Sequence, residues 1–511
     1  MQKLAQYIPI FGWLSDYDRS FLQDDIGAGI TVGIMLIPQG MAYAMLAGLP
    51  PIYGLYAAIF PQIMYAIFGT CRQLAVGPVA LDSILVASGV GVIATAGSTQ
   101  YIQLAILLAL MVGLIQLVMG IFKLGFLVNF LSRPVISGFT SGAAIIIALS
   151  QLKHLLGLEV RSTSYVHEII QTTFAQLHMI NLPTLLLGLS GIGLILFLKK
   201  IKSLLPSALV AVILGILIVY FSNLSEAGVA ILGTIPAGLP NFGLPDFSIG
   251  NLQQLAPIAF SIAFIGFMES IAIGRTFQTK HGNYRIRPNQ ELIALGVANL
   301  AGSFFKAFPT TGGFSRSAVN DHAGAKTGVA ALVSAGMIVL TLLFFTPLFY
   351  YLPNAILAAI IIVAVCNLID FSTAKNLWQQ NRRDFWMLIV TFLGTLFLGI
   401  QMGIAIGVVL SLALMIYDTT NPHIAVLGKI PDNPHYRNIG RFDELECQDH
   451  ILIVRFDARL YYANCSFFYN ELWKLVTEKG NQLQLVILDA VSINDVDSSG
   501  IAILKELANA L

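Results

Sequence analysis

Apolar stretches long enough to cross a hydrocarbon core of about 30 Å recur from Gly27 to about Tyr417. Spans are expected near 27–48, 52–68, 77–96, 102–121, 133–151, 182–198 and 205–221. A second set is expected near 254–275, 289–304, 312–320, 328–345, 347–367, 385–401 and 403–418. Of the 511 residues 56% are hydrophobic and only 11% charged, where a soluble protein carries roughly 25% charged residues. Surface-to-volume scaling does not let a soluble chain bury that much apolar matter. The reading is an all-α polytopic membrane protein embedded in a lipid bilayer.

Loop charges test the count. With the N-terminus inside, the inner loops hold Arg72, Lys123, Lys199, Lys200, Lys202, Lys280, Arg285, Arg287, Lys375, Arg382 and Arg383. The outer loops hold little beyond Lys153, Arg161 and Lys306. That is the positive-inside bias of an even count, with both termini cytoplasmic. Segment 164–179 is too polar to span and is expected to lie as an interfacial helix. The N-terminus has no short apolar run followed by a cleavage site, so a removable signal peptide is not expected. Net charge is +1 without a Lys/Arg block, and nothing points to nucleic acid. Cys71, Cys366, Cys447 and Cys465 have no metal-ligand or redox spacing and read as free thiols. No metal or other cofactor is expected.

Two spans are anomalous. The third of each set follows an irregular approach, CRQLAVGP (71–78) and KAFPTTGG (306–313), and opens with helix-breaking residues. Matching interrupted segments in two halves point to half-helices meeting at mid-membrane, where a substrate binds. Arg316 stands just after the second breaker between Ser315 and Ser317. A helix N-terminus offers free N–H groups and roughly half a positive charge, so an arginine and hydroxyls beside it suit an anion. The facing N-terminus, at Val76, Gly77, Pro78 and Val79, permits close backbone approach. Gln39 and Tyr43, four apart on one face of the first span, are candidate pocket residues, and Tyr43 could equally be packing.

Glu269, in IGFMESIAIG, is an ionisable residue at membrane depth and a functional hypothesis by default. It could bind and release a proton, or remain a permanently paired or protonated strut between helices; a Glu269–Arg316 pair could also act as a gate. Asp82, one turn into the third span, is a second intramembrane acid that could share the coupling role or merely bond neighbours such as Ser83.

After Asp418 the chain turns polar. Alternating strands at 451–457 and 483–489 precede a helix from about Ser498, which reads as a small cytoplasmic α/β domain. The expected division is 1–26 as a cytoplasmic N-terminal segment, 27–420 as the transmembrane transporter and 421–511 as the cytoplasmic domain. Two strands are few for a closed sheet, so the chain is expected to stop before that domain is complete. Asp497-Ser498-Ser499-Gly500 opens the helix, and simple capping accounts for Asp497 and Ser498.

The run Pro38–Ala80, ESIAIGRTF (Glu269–Phe277) and GFSRSAVN (Gly313–Asn320) resemble the sulfate permease (SulP, solute carrier 26) family. The C-terminal part resembles the STAS domain those transporters carry. The resemblance implies fourteen spans as two inverted seven-span repeats, with spans 1–4 and 8–11 forming a core and spans 5–7 and 12–14 a gate. It implies an anion bound between half-helices 3 and 10, elevator motion of the core, and a homodimer in the plasma (inner) membrane. By motif match Gln39, Tyr43, Gly77, Val79, Phe314, Ser315 and Arg316 would form the anion site. Sodium-coupled relatives tend to have Asp at the position of Glu269 and a Thr one turn later, where this chain has Ile273. Plant proton–sulfate symporters look similar at Glu269. Asp82 departs from the usual apolar residue of span 3. Ser499 matches the phosphoacceptor of STAS anti-sigma antagonists.

The expected function is secondary active transport of an inorganic anion, sulfate first, with the proton as coupling ion. Sodium-coupled bicarbonate uptake, chloride/bicarbonate exchange and an uncoupled anion channel are the rivals. A nucleobase permease suits Arg316 poorly. No nucleophile–base pair or phosphate loop argues for an enzyme.

Overall fold

The computed structural model describes residues 7–511 apart from 16, 127–131, 159–165, 202–205, 246, 283, 367 and 443, and apart from the side chain of Gln401. Arg161, Lys202 and the first two residues of segment 164–179 lie outside the described residues. The chain divides into two compact units, 1–408 and 409–511.

The first unit opens with α1 (Ser20–Leu46), α2 (Ile52–Tyr56), α3 (Phe60–Phe68), β1 (Val76–Gly77), α4 (Ala80–Val90), α5 (Thr99–Ile121) and α6 (Arg133–Ser150). It continues through α7 (Leu182–Lys200), α8 (Ser207–Phe221), α9 (Ile249–His281), α10 (Pro288–Phe304), β2 (Thr311–Gly312) and α11 (Phe314–His322). It ends with α12 (Val329–Leu340), α13 (Asn354–Cys366) and α14 (Arg382–Leu398), and α15 (Ile400–Thr420) carries the chain onward. Lipid offers no hydrogen-bond partners, so a segment in it must satisfy its backbone internally, and helices do so. Among the described residues, eight helices are long and apolar enough to cross a bilayer, and the apolar helices 52–68, Ala80–Val90 and Ser207–Phe221 are shorter.

Every expected span carries a helix, but several boundaries differ. Span 2 is broken at 57–59 because Pro61, at the start of α3, has no N–H to continue the ladder from α2. The third span begins at Ala80 rather than 77, since Val76 and Gly77 are held in a strand. The eleventh widens into a π-helical turn at Thr341–Phe345 and tightens into a 3₁₀ turn at Thr346–Phe349. Segment 164–179 contains a helix over Val166–Ala175 that buries Ile169 and Thr173 and exposes most of the rest.

Glycines set which helices touch. Between helices in lipid there is no hydrophobic driving force, so close packing of small residues decides association. A Cβ on Gly113 of α5 would lie 2.6 Å from Leu300 N, and one on Gly296 of α10 2.6 Å from Leu117 N. Gly29 of α1 meets α12 the same way, 2.5 Å from Ala330 O, and Gly138 of α6 meets α14, 2.5 Å from Leu388 O. The tightest approach joins α1 to α2, where a Cβ on Gly54 would sit 1.9 Å from Gly40 O. It fixes the stretch of α1 that bears Gln39 and Tyr43, just past the Pro38 inside that helix.

The second unit is a four-stranded sheet in the order β4-β3-β5-β6, with β3 (Ile424–Lys429), β4 (Tyr436–Asn438), β5 (Ile451–Phe456) and β6 (Leu485–Asp489). β3 runs antiparallel to β4 and β5, and β5 parallel to β6. α16 (Cys465–Lys479) makes the crossover and α17 (Ser498–Ala510) follows. Leu452, Val454 and Phe456 of β5 alternate inward to pack with Phe468, Leu472 and Leu507. The sequence reading found β5, β6 and α17 but missed β3, β4 and α16. Gly428 interrupts the apolar alternation of β3, and β4 has only three residues. All four cysteines are free.

Replacing Gly54 by alanine puts a methyl into the Gly40 backbone, which no rotamer change can relieve. The expected cost is about 1–3 kcal/mol, seen as a lower unfolding midpoint of the detergent-solubilised protein. Gly336→Ala, at a position with nothing within 4 Å, is expected to leave the midpoint unchanged.

Candidate functional site

The two irregular approaches meet as a short antiparallel ladder. Val76 pairs with Gly312 and Gly77 with Thr311, and Gly313 N donates to Ala75 O at 3.1 Å. Each strand ends where a helix begins, with Val79 and Gly313 as the N-cap residues of α4 and α11. Both caps have extended backbone and neither supplies a side-chain hydrogen bond. The first N–H groups of a helix have no intrahelical acceptor. Two sets of them, with the positive ends of two helix dipoles, converge here on one region.

Arg316 stands in the first turn of α11 and is 2% exposed. Its Nη1 donates to Pro78 O at 2.6 Å, across the ladder to the start of α4. Nε and Nη2 have no hydrogen-bond partner among the described residues. The guanidinium folds back over Gly313, where a Cβ would come within 2.8 Å of Cζ and Nη2. Any side chain at 313 would push it away. Around it, Ser317 Oγ accepts from Ala75 N at 2.9 Å and Asn320 Nδ2 donates to Gln73 O at 3.0 Å. Half of the guanidinium is thus anchored, and half is presented where the helix N-termini meet.

Asp25, Asp82, Glu269 and Glu291 are buried or half-buried acids of this unit, and they fall into two kinds. Asp25 accepts from Lys326 N (2.7 Å), Thr327 N (3.1 Å) and Thr327 Oγ1 (2.6 Å). Glu291 accepts from Tyr65 Oη and Thr70 N, each at 2.6 Å, and from the Thr70 hydroxyl. These two are saturated struts, tying α1 to the start of α12 and α10 to the 69–75 loop. Asp82 Oδ1 and Glu269 Oε2, by contrast, are buried without a hydrogen-bond partner. Glu269 and Arg316 are within electrostatic reach of each other and of Tyr43, yet no ion pair of 4.0 Å or less joins them. Asp82 lies in the field of Glu269.

The structure therefore brings Gln39, Tyr43, Gly77, Val79, Asp82, Glu269 and Arg316 to one region. Gln39 and Tyr43 are buried, and Gln39 Oε1 is also unpartnered. Phe314 is 52% exposed and Ser315 is exposed, so these two face an opening and not the packed interior. Ile273, one turn beyond Glu269, is buried and apolar. Ser499 belongs to the second unit, half-buried in the first turn of α17, where the Asp497 carboxylate caps the helix through Gly500 N at 2.8 Å. That amide bond holds Asp497 below the usual carboxylate range.

Sequence reasoning missed several supports. Asn299 of α10 accepts from Thr310 N (2.8 Å) and donates to Thr310 O (3.0 Å) and Gln116 Oε1 (3.1 Å). Ser270 Oγ meets Thr311 Oγ1 at 2.9 Å and accepts from Gly312 N at 3.2 Å. Carboxamides inside apolar helices are the available signal, because a polar group there needs a partner.

Known proteins resemble this chain in sequence and in fold. A model of the sulfate permease family matches residues 22–391, and one of the STAS domain matches residues 444–511. Sulfate transporter 4.1, chloroplastic, of Arabidopsis thaliana is 42% identical over 98% of this chain and 75% of its own length. High affinity sulfate transporter 2 of Stylosanthes hamata is 36% identical over 99% of this chain and 80% of its own. The structure of murine solute carrier 26 family member A9, an anion transporter in the inward-facing state, superposes with a TM-score of 0.92 at 27% identity. That match covers 100% of this chain and 87% of the other. The transmembrane domain of a cyanobacterial bicarbonate transporter, at 24% identity and a TM-score of 0.67, shares the fold over 77% of this chain and 98% of its own. With its matched family model, its relatives and its crossed half-helices, the chain belongs to the sulfate permease family of integral membrane proteins.

Proposed function

We propose that this chain carries an inorganic oxyanion, sulfate first, across its membrane together with protons. Anion transport as such is the common ground of the family and of the relatives named as sulfate transporters, at 35–42% identity. The observation that carries the finer reading is the half-committed guanidinium of Arg316, held at the meeting point of two uncapped helix N-termini. Gly77, Val79, Phe314, Ser315 and Arg316 bind the anion from the two half-helices, and Gln39 and Tyr43 close the pocket from α1. The alternative reading, sodium-driven bicarbonate uptake, is disfavoured by the buried Ile273, whose side chain cannot ligate a cation.

Glu269 is the proton site. When its carboxyl is ionised it neutralises Arg316 across the pocket; when it is protonated the guanidinium is released to the anion. Anion and proton then favour each other's binding, as reciprocal linkage requires. The cycle is alternating access, with spans 1–4 and 8–11 as a core moving against spans 5–7 and 12–14. The pairing of α1 with α12 and α5 with α10, and separately of α6 with α14 and α7 with α13, supports that grouping. The fourteen-span, two-repeat topology, a homodimer, cytoplasmic termini in a plasma (inner) membrane and a phosphoacceptor role for Ser499 belong to the same proposal. So does the division at 26 and 420 into an N-terminal segment, a transporter and a cytoplasmic STAS domain.

Uptake of labelled sulfate into proteoliposomes decides the coupling. Accumulation is expected with acid outside and no sodium present, and uptake indifferent to the proton gradient would sink the claim. A requirement for sodium would favour bicarbonate-type coupling, and large single-channel currents a channel. Glu269→Gln is expected to abolish accumulation while leaving sulfate binding detectable; loss of binding itself would make Glu269 a strut. Gly313→Ala, by displacing the guanidinium, is expected to weaken sulfate binding at least about tenfold, the loss of roughly one charge-assisted hydrogen bond. Equilibrium binding to purified protein measures both.

A further inference from the structure

We propose that Asp82 is a second proton-binding group of the cycle, so that two protons accompany each divalent anion and transport moves no net charge. This rests on the proton-coupled reading above and gives it a stoichiometry.

Asp82 sits in the first turn of α4, 1% exposed, behind the helix N-terminus that faces the anion. It looks onto the turn of α9 that bears Glu269. Its Oδ2 is 3.7 Å from the point where a Gly266 side chain would begin, and Thr311 Oγ1 is 3.1 Å from the same point. Oδ1 has no hydrogen-bond partner among the described residues. Asp25 and Glu291 show how this fold treats an acid used only for support, with both carboxylate oxygens bonded. Asp82 receives none of that treatment. Of the charged and titratable groups around it, α9 contributes Glu269, whose field reaches Asp82. α11 and α1 contribute Arg316 and Tyr43, which lie in the field of Glu269. Among the described residues, α5 and α6 bring no charged group whose field reaches it.

Charge balance then assigns the role. A buried site tolerates little net charge, because taking ions out of water costs several kcal/mol each. With both carboxyls ionised, Arg316 leaves the empty site one negative charge in excess. Entry of a dianion would add two more, and binding one proton to an oxygen of each carboxyl restores the original value. The loaded and empty sites then carry equal charge. Both O–H bonds break again when the anion leaves to the far side, and both protons go with it. With Glu269 alone titrating, the loaded site would be one charge more negative than the empty one. Each cycle would then drive a negative charge inward against an inside-negative potential.

The test is the steady-state sulfate gradient in proteoliposomes, with membrane potential clamped at zero by valinomycin and equal potassium. Each co-transported proton contributes about tenfold accumulation per pH unit. The wild-type chain is expected to reach about a hundredfold per unit, unaffected when the potential is changed. Asp82→Asn is expected to fall to about tenfold and to become sensitive to potential, while Asp82→Glu keeps the hundredfold slope. A tenfold, potential-sensitive wild type overturns this proposal and leaves the coupled reading intact, as does Asp82→Asn with an undiminished slope. No proton-driven accumulation in the wild type overturns the coupled reading and this proposal with it. Should Asp82→Asn fail to fold, the wild-type slope and its indifference to potential decide alone.

Discussion

Two residue pairs of antiparallel ladder, Val76 with Gly312 and Gly77 with Thr311, hold the site together. Strand at membrane depth is tolerated only where its backbone is buried in protein or lines a cavity, and here all four residues are buried. The ladder satisfies the inner edges of both strands and leaves each chain to start a helix straight afterwards. Neither helix could be extended backwards without destroying the ladder. That is why α4 and α11 are short, and why their N-termini are available to a ligand instead of to preceding turns. Glycine at 313 follows from the same crossing, since the guanidinium of Arg316 occupies the space a side chain would need.

Burying charge in such a place is costly, and the fold deals with it in two ways. Asp25 and Glu291 are ringed by backbone amides and hydroxyls, which turns a liability into a clamp between segments about 200 to 300 positions apart in the chain. Asp82 and Glu269 are left short of partners. An incompletely bonded carboxyl is stable only if its charge is cancelled by a proton or a cation, and the proposed cycle has that proton exchanged when the anion enters. What separates the two pairs is hydrogen bonding, since burial is common to both.

Hydropathy made the helical bundle legible, because every spanning segment must be apolar over its length. The half-helices were legible through Gly-Pro and Gly-Gly breakers, and Arg316, Glu269 and Asp82 through their charge. What escaped was long-range. Glu291 lies inside an expected span and carries the same formal charge as Glu269, yet nothing in its own neighbourhood announces that Tyr65 and Thr70 will bond it. Asn299 and Ser270 were passed over because their partners, Thr310, Thr311 and Gly312, lie 11 positions away or more. In the second unit β3 and β4 escaped for a local reason, a glycine and a three-residue length that blur alternation.

The bonds around the ladder also bear on how the site could move. Arg316 binds Pro78 O, Ser317 binds Ala75 N and Asn320 binds Gln73 O, so α11 is fastened to the approach of α4 three times within two helical turns. Ser270 ties α9 to β2, and Asn299 with Gln116 ties α10 and α5 to Thr310. Residues from both halves of the chain thus form one cross-braced body around the ladder. Sliding α4 past α11 would break buried hydrogen bonds whose loss costs about 1–3 kcal/mol each, whereas moving the braced body as a whole breaks none of them. On the proposed transport cycle, alternating exposure is therefore easier by displacement of α4, α5, α9, α10 and α11 together than by opening a gap between the half-helices. The carboxyls of Asp82 and Glu269 would travel with the body and meet both solutions in turn.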